Sequence, residues 1–362
     1  MPMSARRLWL LRMAALGLGI TLPATATAAA DFAVPDPRYR LRFPQDHGSH
    51  PGFRIEWWYV TGWLERAAAT ALGFQITFFR VRPDLPTGNP SRFHPRDIII
   101  AHAALSDPAL GRLLHVQRAA RATFDLAGAA EGNTRVWLGH WRLAREGAAY
   151  RARISDATLG LDLELLPTQP PLLQGHEGYS RKGADAASHY YSQPQLQVSG
   201  RCRTDRRDTA VSGRAWLDHE WSSAYLPRGA RGWDWVGLNF DDGSSLMAFR
   251  MRGDPAHPPL WTAATRRDAS GNTITIAAAA IRFTPLRHWQ SPRTAIRYPV
   301  AFELDLGGLS LELQPLMDDQ EHDTRETTGA IYWEGAVTVR REGRHVGRGY
   351  LELTGYGEPL RL

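Results

Sequence analysis

Two short acid-containing segments carry the side chains best suited to catalysis. Asp218-His219-Glu220-Trp221 places two carboxylates and an imidazole in consecutive positions. On a β-strand, alternation puts Asp218 and Glu220 on one face and His219 with Trp221 on the other. An imidazole near carboxylates suits general acid–base catalysis, and a salt-bridged strand end is the alternative without catalysis. The H-E-x-x-H spacing is absent, so the sequence predicts no bound metal.

The second segment is Trp233-Asp234-Trp235, an acid between two indoles. Desolvation there would raise the pKa of Asp234 and keep it protonated as a general acid. Indole faces stabilise a nearby cation. Together these properties suit the hydration of an unactivated alkene, which needs proton delivery, a carbocation and capture of water. Alternation leaves open that Asp234 faces solvent instead. Glu56, just before two tryptophans, holds a comparable position.

A polar, glycine-rich segment at residues 175–192 is predicted to be a loop. It contains Lys182, the only lysine in a chain with 42 arginines. A chain that otherwise uses arginine has reason to keep one lysine where a compact ammonium is needed, although chance retention explains it equally well. Tyr190 and Tyr191 end the segment as candidate ligand contacts.

These segments define the candidate site. The candidate catalytic residues are Asp218, His219, Glu220, Asp234 and Glu56. The candidate ligand-binding residues are Trp57, Trp58, Trp221, Trp233, Trp235, Lys182, Tyr190 and Tyr191. The chain has no G-x-S-x-G elbow, P-loop or dinucleotide fingerprint, so no cofactor is expected. The single cysteine, Cys202, cannot form an internal disulfide and is interpreted as a bystander thiol.

Alternating apolar and polar residues dominate the chain and predict an all-β fold. Residues 159–165 read LGLDLEL, a clear period-two strand, and Gly, Pro, Asn and Asp clusters separate such runs. Many short strands with turn signals indicate a sandwich or a barrel. Five weak echoes recur in the same order and predict two related domains, 31–228 and 229–362. The echoing pairs begin at residues 56 and 233, 79 and 249, 163 and 311, 190 and 332, and 213 and 347.

The first thirty residues predict an export signal. A positive segment, an apolar run at 13–22 and A-x-A triplets ending at Ala28 and Ala30 follow in that order. The apolar run is too short to span a bilayer, which takes about 20 residues. We therefore expect a periplasmic or secreted protein cleaved near Ala30. The remaining net charge of about +3 lacks the basic stripe of a nucleic-acid-binding protein.

The combined motifs resemble exported lipocalin-like proteins related to hydroxyneurosporene synthase, the carotenoid 1,2-hydratase. The motifs are PGFRIEWWY at 51–59, GYSRKG at 178–183, SHYYS at 188–192, WLDHEW at 216–221 and YWEG at 332–335. The resemblance covers nearly all of the chain after the signal. It implies two lipocalin-like antiparallel β-barrel domains.

The resemblance also implies a function, with alternatives. The leading expectation is an exported protein that binds an apolar, isoprenoid or lipid-like ligand and acts on it as a hydro-lyase, adding water to an alkene. The export signal sets this chain apart from a carotenoid hydratase. Other labels in the family leave two alternatives: a non-catalytic periplasmic carrier working with an inner-membrane transporter, and a secreted hydrolase.

Overall fold

The protein is all-β, which confirms the predicted fold class. A computed structural model describes residues 32–66, 70–85, 89–91, 93–205 and 207–359. The predicted export signal at 1–30 lies outside these residues. Within them, the only helical pieces are two short 3-10 turns, Gln45–His47 and Ala278–Ala280, and no helix is long and apolar enough to cross a membrane.

The N-terminal part of the chain forms one antiparallel sheet that curls into a nearly closed barrel. Its strand order is β4-β3-β2-β1-β13-β12-β9-β8-β7-β6-β5, with β10 and β11 paired to β12. The strands are β1 (Ile55–Arg66), β2 (Thr70–Val81), β3 (Ile98–Ser106), β4 (Leu114–Arg121), β5 (Ala127–Ala129), β6 (Arg135–Leu138), β7 (Trp141–Glu146), β8 (Ala149–Ser155), β9 (Leu159–Leu166), β10 (Leu172–Leu173), β11 (Tyr179–Arg181), β12 (Ala187–Thr204) and β13 (Asp208–Ala224).

The C-terminal part forms a second antiparallel sheet, curled into a half-barrel. Its strand order is β17-β16-β15-β14-β23-β22-β20-β19-β18, with β21 paired to β22. The strands are β14 (Gly232–Phe240), β15 (Ser245–Arg252), β16 (Trp261–Arg267), β17 (Thr273–Ile276), β18 (Ile281–Gln290), β19 (Arg297–Leu306), β20 (Ser310–Pro315), β21 (Glu321–Thr324), β22 (Ala330–Arg341) and β23 (Arg344–Leu353). The proposed domain division after residue 228 falls between the two sheets.

Three buried clusters hold the fold together. One fills the first barrel, and a second covers the concave face of the half-barrel. The third lies between the sheets and is largely aromatic, with Tyr59, Trp63 and Trp216 from the first sheet against Trp235 and other side chains of the second. Both faces of the central strands are therefore buried. Aromatic side chains contribute much of this apolar area.

Directed hydrogen bonds also join the two sheets. The Trp63 indole donates to the Gly349 carbonyl at 2.9 Å, and the Asn239 amide donates to the Ala215 carbonyl at 3.0 Å. Each bond satisfies a buried polar group that would otherwise be costly to desolvate. Because they cross between β1 and β23 and between β13 and β14, they fix the position of one sheet relative to the other.

Candidate functional site

A cavity of about 280 Å³ lies between the two sheets, and both contribute its walls. Aromatic and aliphatic side chains form most of the surface, and four carboxyl groups face the space. The aromatic lining residues are Trp57, Tyr59, Phe79, Tyr190, Tyr225, Trp233, Trp235 and Tyr332, and the acids are Asp218, Glu220, Glu334 and Glu352. Apolar walls with a few convergent polar groups are typical of small-molecule sites.

Asp218 is the acid whose surroundings best suit proton transfer. It stands on β13 opposite Tyr59 and is 3 % exposed. Burial raises its pKa to about 7, although hydrogen bonds from Ser192, Trp216 and Tyr190 oppose the rise by stabilising the carboxylate. The three donors lie at 2.6, 2.7 and 2.8 Å. An acid with a pKa near neutrality can both donate and accept a proton at physiological pH.

Tyr190 connects Asp218 to the second sheet. The Trp235 indole donates to the Tyr190 hydroxyl at 3.1 Å, and that hydroxyl donates to Asp218 Oδ2. This chain runs from β14 through β12 to β13. The second sheet is therefore linked to Asp218 through one of its three hydrogen-bond donors.

Glu220 lines the cavity and forms a buried ion pair with Lys182, which lies behind it. Lys182 Nζ lies 2.7 Å from Glu220 Oε1, and both side chains are nearly inaccessible. Ser188 also donates to Glu220. Burial lowers the pKa of Lys182 and raises that of Glu220, while each partner opposes the shift of the other. The loop predicted at 175–192 is wrong in part: Tyr179–Arg181 form β11, and residues 187–192 begin β12, with which β11 pairs.

Two further acids come from the second sheet and were not among the candidates. Glu334 on β22 stands opposite Glu352 on β23, so two like charges would be neighbours. Burial and the nearby Glu352 raise the pKa of Glu334 well above its usual value. Burial raises the pKa of Glu352 to about 8, with Asp218 and Glu220 adding to the rise. Glu352 keeps some accessible surface because it borders the cavity.

Glu334 has one unpartnered oxygen. Its Oε2 accepts a hydrogen bond from the Tyr59 hydroxyl at 2.8 Å. Its Oε1 lies 3.3 Å from His322 Nε2, but the angles do not form a hydrogen bond. Both nitrogens of the fully buried His322 are likewise without a partner among the described residues. The sequence signal for these groups was slight: Glu334 lies in the YWEG motif, while His322 lies in no motif.

His219 does not face the cavity. It points into the first barrel, where its Nε2 lies 2.9 Å from Glu56 Oε1. Glu56 is fully buried and also receives hydrogen bonds from Ser49, His50 and Arg80. Burial would raise the pKa of Glu56, but the hydrogen bonds from His219 and His50 and the charge of Arg80 lower it well below its usual value. A carboxylate therefore lies beside His219, but away from the cavity between the sheets.

His50, Glu56 and His219 are close enough to be considered as metal ligands. Their mutual contacts argue against that use. Both Glu56 oxygens are hydrogen-bonded, and the Arg80 guanidinium lies 2.9 Å from one of them. The second nitrogen of His50 is 3.2 Å from Asp46. A cation would have to displace these bonds beside a fixed positive charge, so the cluster fits a structural network better than a metal centre.

Asp234 is buried, so it does not face solvent. It does not lie between the two indoles either. It points to the face of β14 opposite Trp233 and Trp235, both of which line the cavity. Arg250 and Arg252 lie 2.5 and 3.0 Å from its two oxygens, and Tyr356 donates to it at 3.0 Å. Two guanidinium groups stabilise the carboxylate, which suits a structural anion.

The structure therefore divides the candidates into three groups. Asp218, Glu220, Trp57, Trp233, Trp235 and Tyr190 line the cavity, with Lys182 directly behind it. Glu56, His219, Trp58, Trp221 and Tyr191 are buried within the first barrel. Asp234 lies on the concave side of the second sheet. The period-two alternation of β1, β13 and β14 produces this division.

The fold defines a lipocalin-like protein built from two curled sheets with a cavity between them. The chain belongs to the AttH-like family, whose model matches residues 34–356. A crystal structure of an AttH candidate from Nitrosomonas europaea is similar, at 51 % identity and a TM-score of 0.84, covering 90 % of this chain and 100 % of that one. No curated protein sequence gives a significant match.

Two more distant structures share the fold. Kievitone hydratase from Nectria haematococca is 14 % identical with a TM-score of 0.66, covering 90 % of this chain and 97 % of its own. CghA is 13 % identical with a TM-score of 0.54, covering 91 % and 97 %. At these identities the similarity establishes the architecture only.

Proposed function

We propose that the cavity between the sheets binds a small apolar ligand and that the protein acts on it as a hydro-lyase. The observation that carries this proposal is Asp218, an acid with a pKa of about 7 in an aromatic-walled cavity. A similar fold in a kievitone hydratase is compatible with the proposal. The relation to hydroxyneurosporene synthase is part of the same proposal.

The cavity contains the groups that alkene hydration requires. Protonated Asp218 gives a proton to one alkene carbon, and the adjacent carbon becomes a carbocation. The faces of Trp57, Trp235 and neighbouring rings stabilise that charge. Water then adds to the cation, and an ionised carboxylate such as Glu220 accepts the released proton. The reverse sequence removes water from an alcohol.

Cavity size favours a small ligand. Ligand pockets commonly measure about 300–1,000 Å³, and this cavity of about 280 Å³ is at the lower limit. It suits a short isoprenoid or a small ring system better than a full-length carotenoid. Geraniol, an acyclic isoprenoid alcohol with two alkenes, is therefore a suitable probe.

Binding and turnover can be measured separately. Calorimetry should show saturable binding of geraniol at micromolar concentration, and mass spectrometry should detect a product heavier by one water. In deuterated water, Asp218 should also deliver deuterium to an alkene carbon. A carrier would bind the probe and return it unchanged and unlabelled, whereas failure to bind any short isoprenoid would refute both functions.

We also propose that the protein is exported and works in the periplasm. The charged, apolar and A-x-A order of residues 1–30 supports this proposal. N-terminal sequencing of protein from the native cell should give a start at or near Asp31. Intact Met1 on membrane-bound protein would contradict it.

A further inference from the structure

Lys182 has an environment unlike that of an ordinary surface lysine. It is 1 % exposed, and Glu220 is the only acceptor within ion-pair distance among the described residues. Its ammonium otherwise faces aromatic rings, with Nζ 4.8 Å from the ring centre of Tyr190, 5.1 Å from Tyr225 and 4.4 Å from Phe249. Such an amine lies in a desolvated site beside a single proton acceptor.

The amine also lies next to the ligand cavity. Glu220, Tyr190 and Tyr225 all line that space, and each is in contact with Nζ. One layer of side chains therefore separates the nitrogen from a bound ligand. Contact between the nitrogen and a ligand therefore requires the Glu220 side chain to turn aside.

We propose that Lys182 captures small apolar aldehydes from the cavity as a protonated imine, with Glu220 as its counterion. This inference rests on the proposed binding of apolar ligands. Desolvated lysines are the ones that form imines with carbonyl ligands, because the neutral amine is the nucleophile. Burial lowers the pKa of Lys182, which supports the same reaction.

The reaction balances without an oxidant or a metal. Glu220 first takes one proton from the Lys182 ammonium, and the neutral nitrogen attacks the aldehyde carbon. A proton moves from nitrogen to the former carbonyl oxygen, giving a carbinolamine. Glu220 then returns its proton to the departing hydroxyl group, which leaves as water. The product is a protonated C=N bond beside the restored Glu220 carboxylate, and hydrolysis reverses every step.

Aromatic rings around the nitrogen favour this product. A protonated imine keeps the positive charge that the rings of Tyr190, Tyr225 and Phe249 already contact. The ion pair with Glu220 is likewise retained. Capture therefore exchanges one cation for another at the same place, and no uncompensated charge is left in the cavity.

The single lysine makes the test simple. Full-length mature protein is incubated with geranial, the aldehyde matched to geraniol, and reduced with borohydride. Peptide mapping should place one reduced geranyl group on Lys182, and the α-amine at the N-terminus is the only other primary amine. Lys182→Arg keeps the positive charge beside Glu220 but should lose the adduct, and circular dichroism checks its folding.

The possible results are distinguishable. Labelling of Lys182 in the wild-type protein supports the proposal even if Lys182→Arg does not fold. Labelling of the α-amine alone, or equal labelling of Lys182 by the polar aldehyde glyceraldehyde, would overturn it. Calorimetry with geraniol, which forms no imine, tests the proposed function separately. Binding of geraniol without capture of geranial would reject only this inference.

Discussion

At the residue scale, Asp218 is deeply buried, and the hydrogen bonds that it accepts do not fully compensate its carboxylate for the loss of solvent. Three donors stabilise its carboxylate, but burial outweighs them and raises the pKa to about 7. The folded protein therefore keeps a proton that the unfolded chain loses near its ordinary pKa of 3.8. Between these two values folding takes up a proton, so stability falls as the pH rises and levels off above about 7.

Asp218→Asn tests this linkage and the proposed chemistry together. The uncharged amide should flatten the pH dependence and raise the free energy of unfolding at pH 8 by about 1–3 kcal/mol. Hydration should fall by about 100-fold or more because the proton donor is lost. Urea titrations at pH 5 and pH 8 measure the first effect. Asp162→Asn, on the exposed surface of β9, is the control and should change neither quantity.

The His219→Ala variant separates a structural network from a catalytic one. Removing the imidazole leaves Glu56 without one of its buried hydrogen-bond donors, which should cost about 1–3 kcal/mol of stability. Geraniol binding should persist because His219 faces the barrel interior. Denaturant unfolding and calorimetry check the two expectations, with exposed His257→Ala as the control. Loss of binding at unchanged stability would move the functional site into the first barrel.

At the element scale, the two sheets repeat one pairing of a buried acid with an arginine in equivalent strand pairs. Glu56 on β1 stands opposite Arg80 on β2, and Asp234 on β14 stands opposite Arg250 on β15. The distances are 2.9 and 2.5 Å. Each pair lies on the interior side of its sheet. The sequence echo at these positions therefore reflects an acid–arginine pair that both sheets use to stabilise their fold.

Matched substitutions of these acids should behave alike. Glu56→Gln leaves the buried Arg80 with Asp97 as its only charged partner among the described residues, and Asp234→Asn leaves the partly buried Arg250 and Arg252 without theirs. Each change should cost about 1–3 kcal/mol. Neither acid lines the cavity, so geraniol affinity of the folded protein should change little. Thermal unfolding and calorimetry make the comparison. If Asp234→Asn abolished hydration without loss of stability, Asp234 would be a functional acid after all.

Alternation predicted which residues share a face, but not where each face lies. Asp218 and Glu220 were correctly separated from His219, because side chains alternate on any strand. Both faces of β13 are buried, one in the barrel and one against the second sheet, so hydrophobicity could not tell them apart. In the sequence, Glu334 looks like an ordinary strand residue. Only the docking of the two sheets buries it. Tertiary packing alone supplies that information.

Strand register also corrects the sequence echo. The echo pairs Glu352 with Asp218, but Glu352 stands opposite Trp235 just as Glu220 stands opposite Trp57. Both sheets thus place a glutamate at the equivalent position beside the cavity. The greatest difference between the two copies in this region is therefore on the face of β13 that carries His219. That face points into the first barrel. A weak repeat identifies the order of equivalent strands, but it does not exclude an error of two residues in their alignment.

At the scale of the whole molecule, the candidate site lies where the two sheets meet. Walls of the cavity come from both, and the chain from Trp235 through Tyr190 to Asp218 crosses the junction. The sheets approach closely at a point where neither carries a large side chain. Gly73 on β2 faces Ala336 on β22, and a Cβ placed on Gly73 would lie 2.5 Å from the Ala336 Cβ.

Gly73→Ala should therefore disrupt the candidate site, although residue 73 lies outside it. Two methyl groups cannot remain at that distance, so the sheets must shift apart, at a cost of about 1–3 kcal/mol. Geraniol binding should weaken because the cavity walls separate, although Gly73 does not line the cavity. Gly52→Ala is the matched control, since its new Cβ would meet only the Ala33 Cβ at an ordinary 3.5 Å. Thermal unfolding and calorimetry on both variants measure the effect. Equal behaviour of the two would show that the junction tolerates displacement and that the cavity does not depend on it.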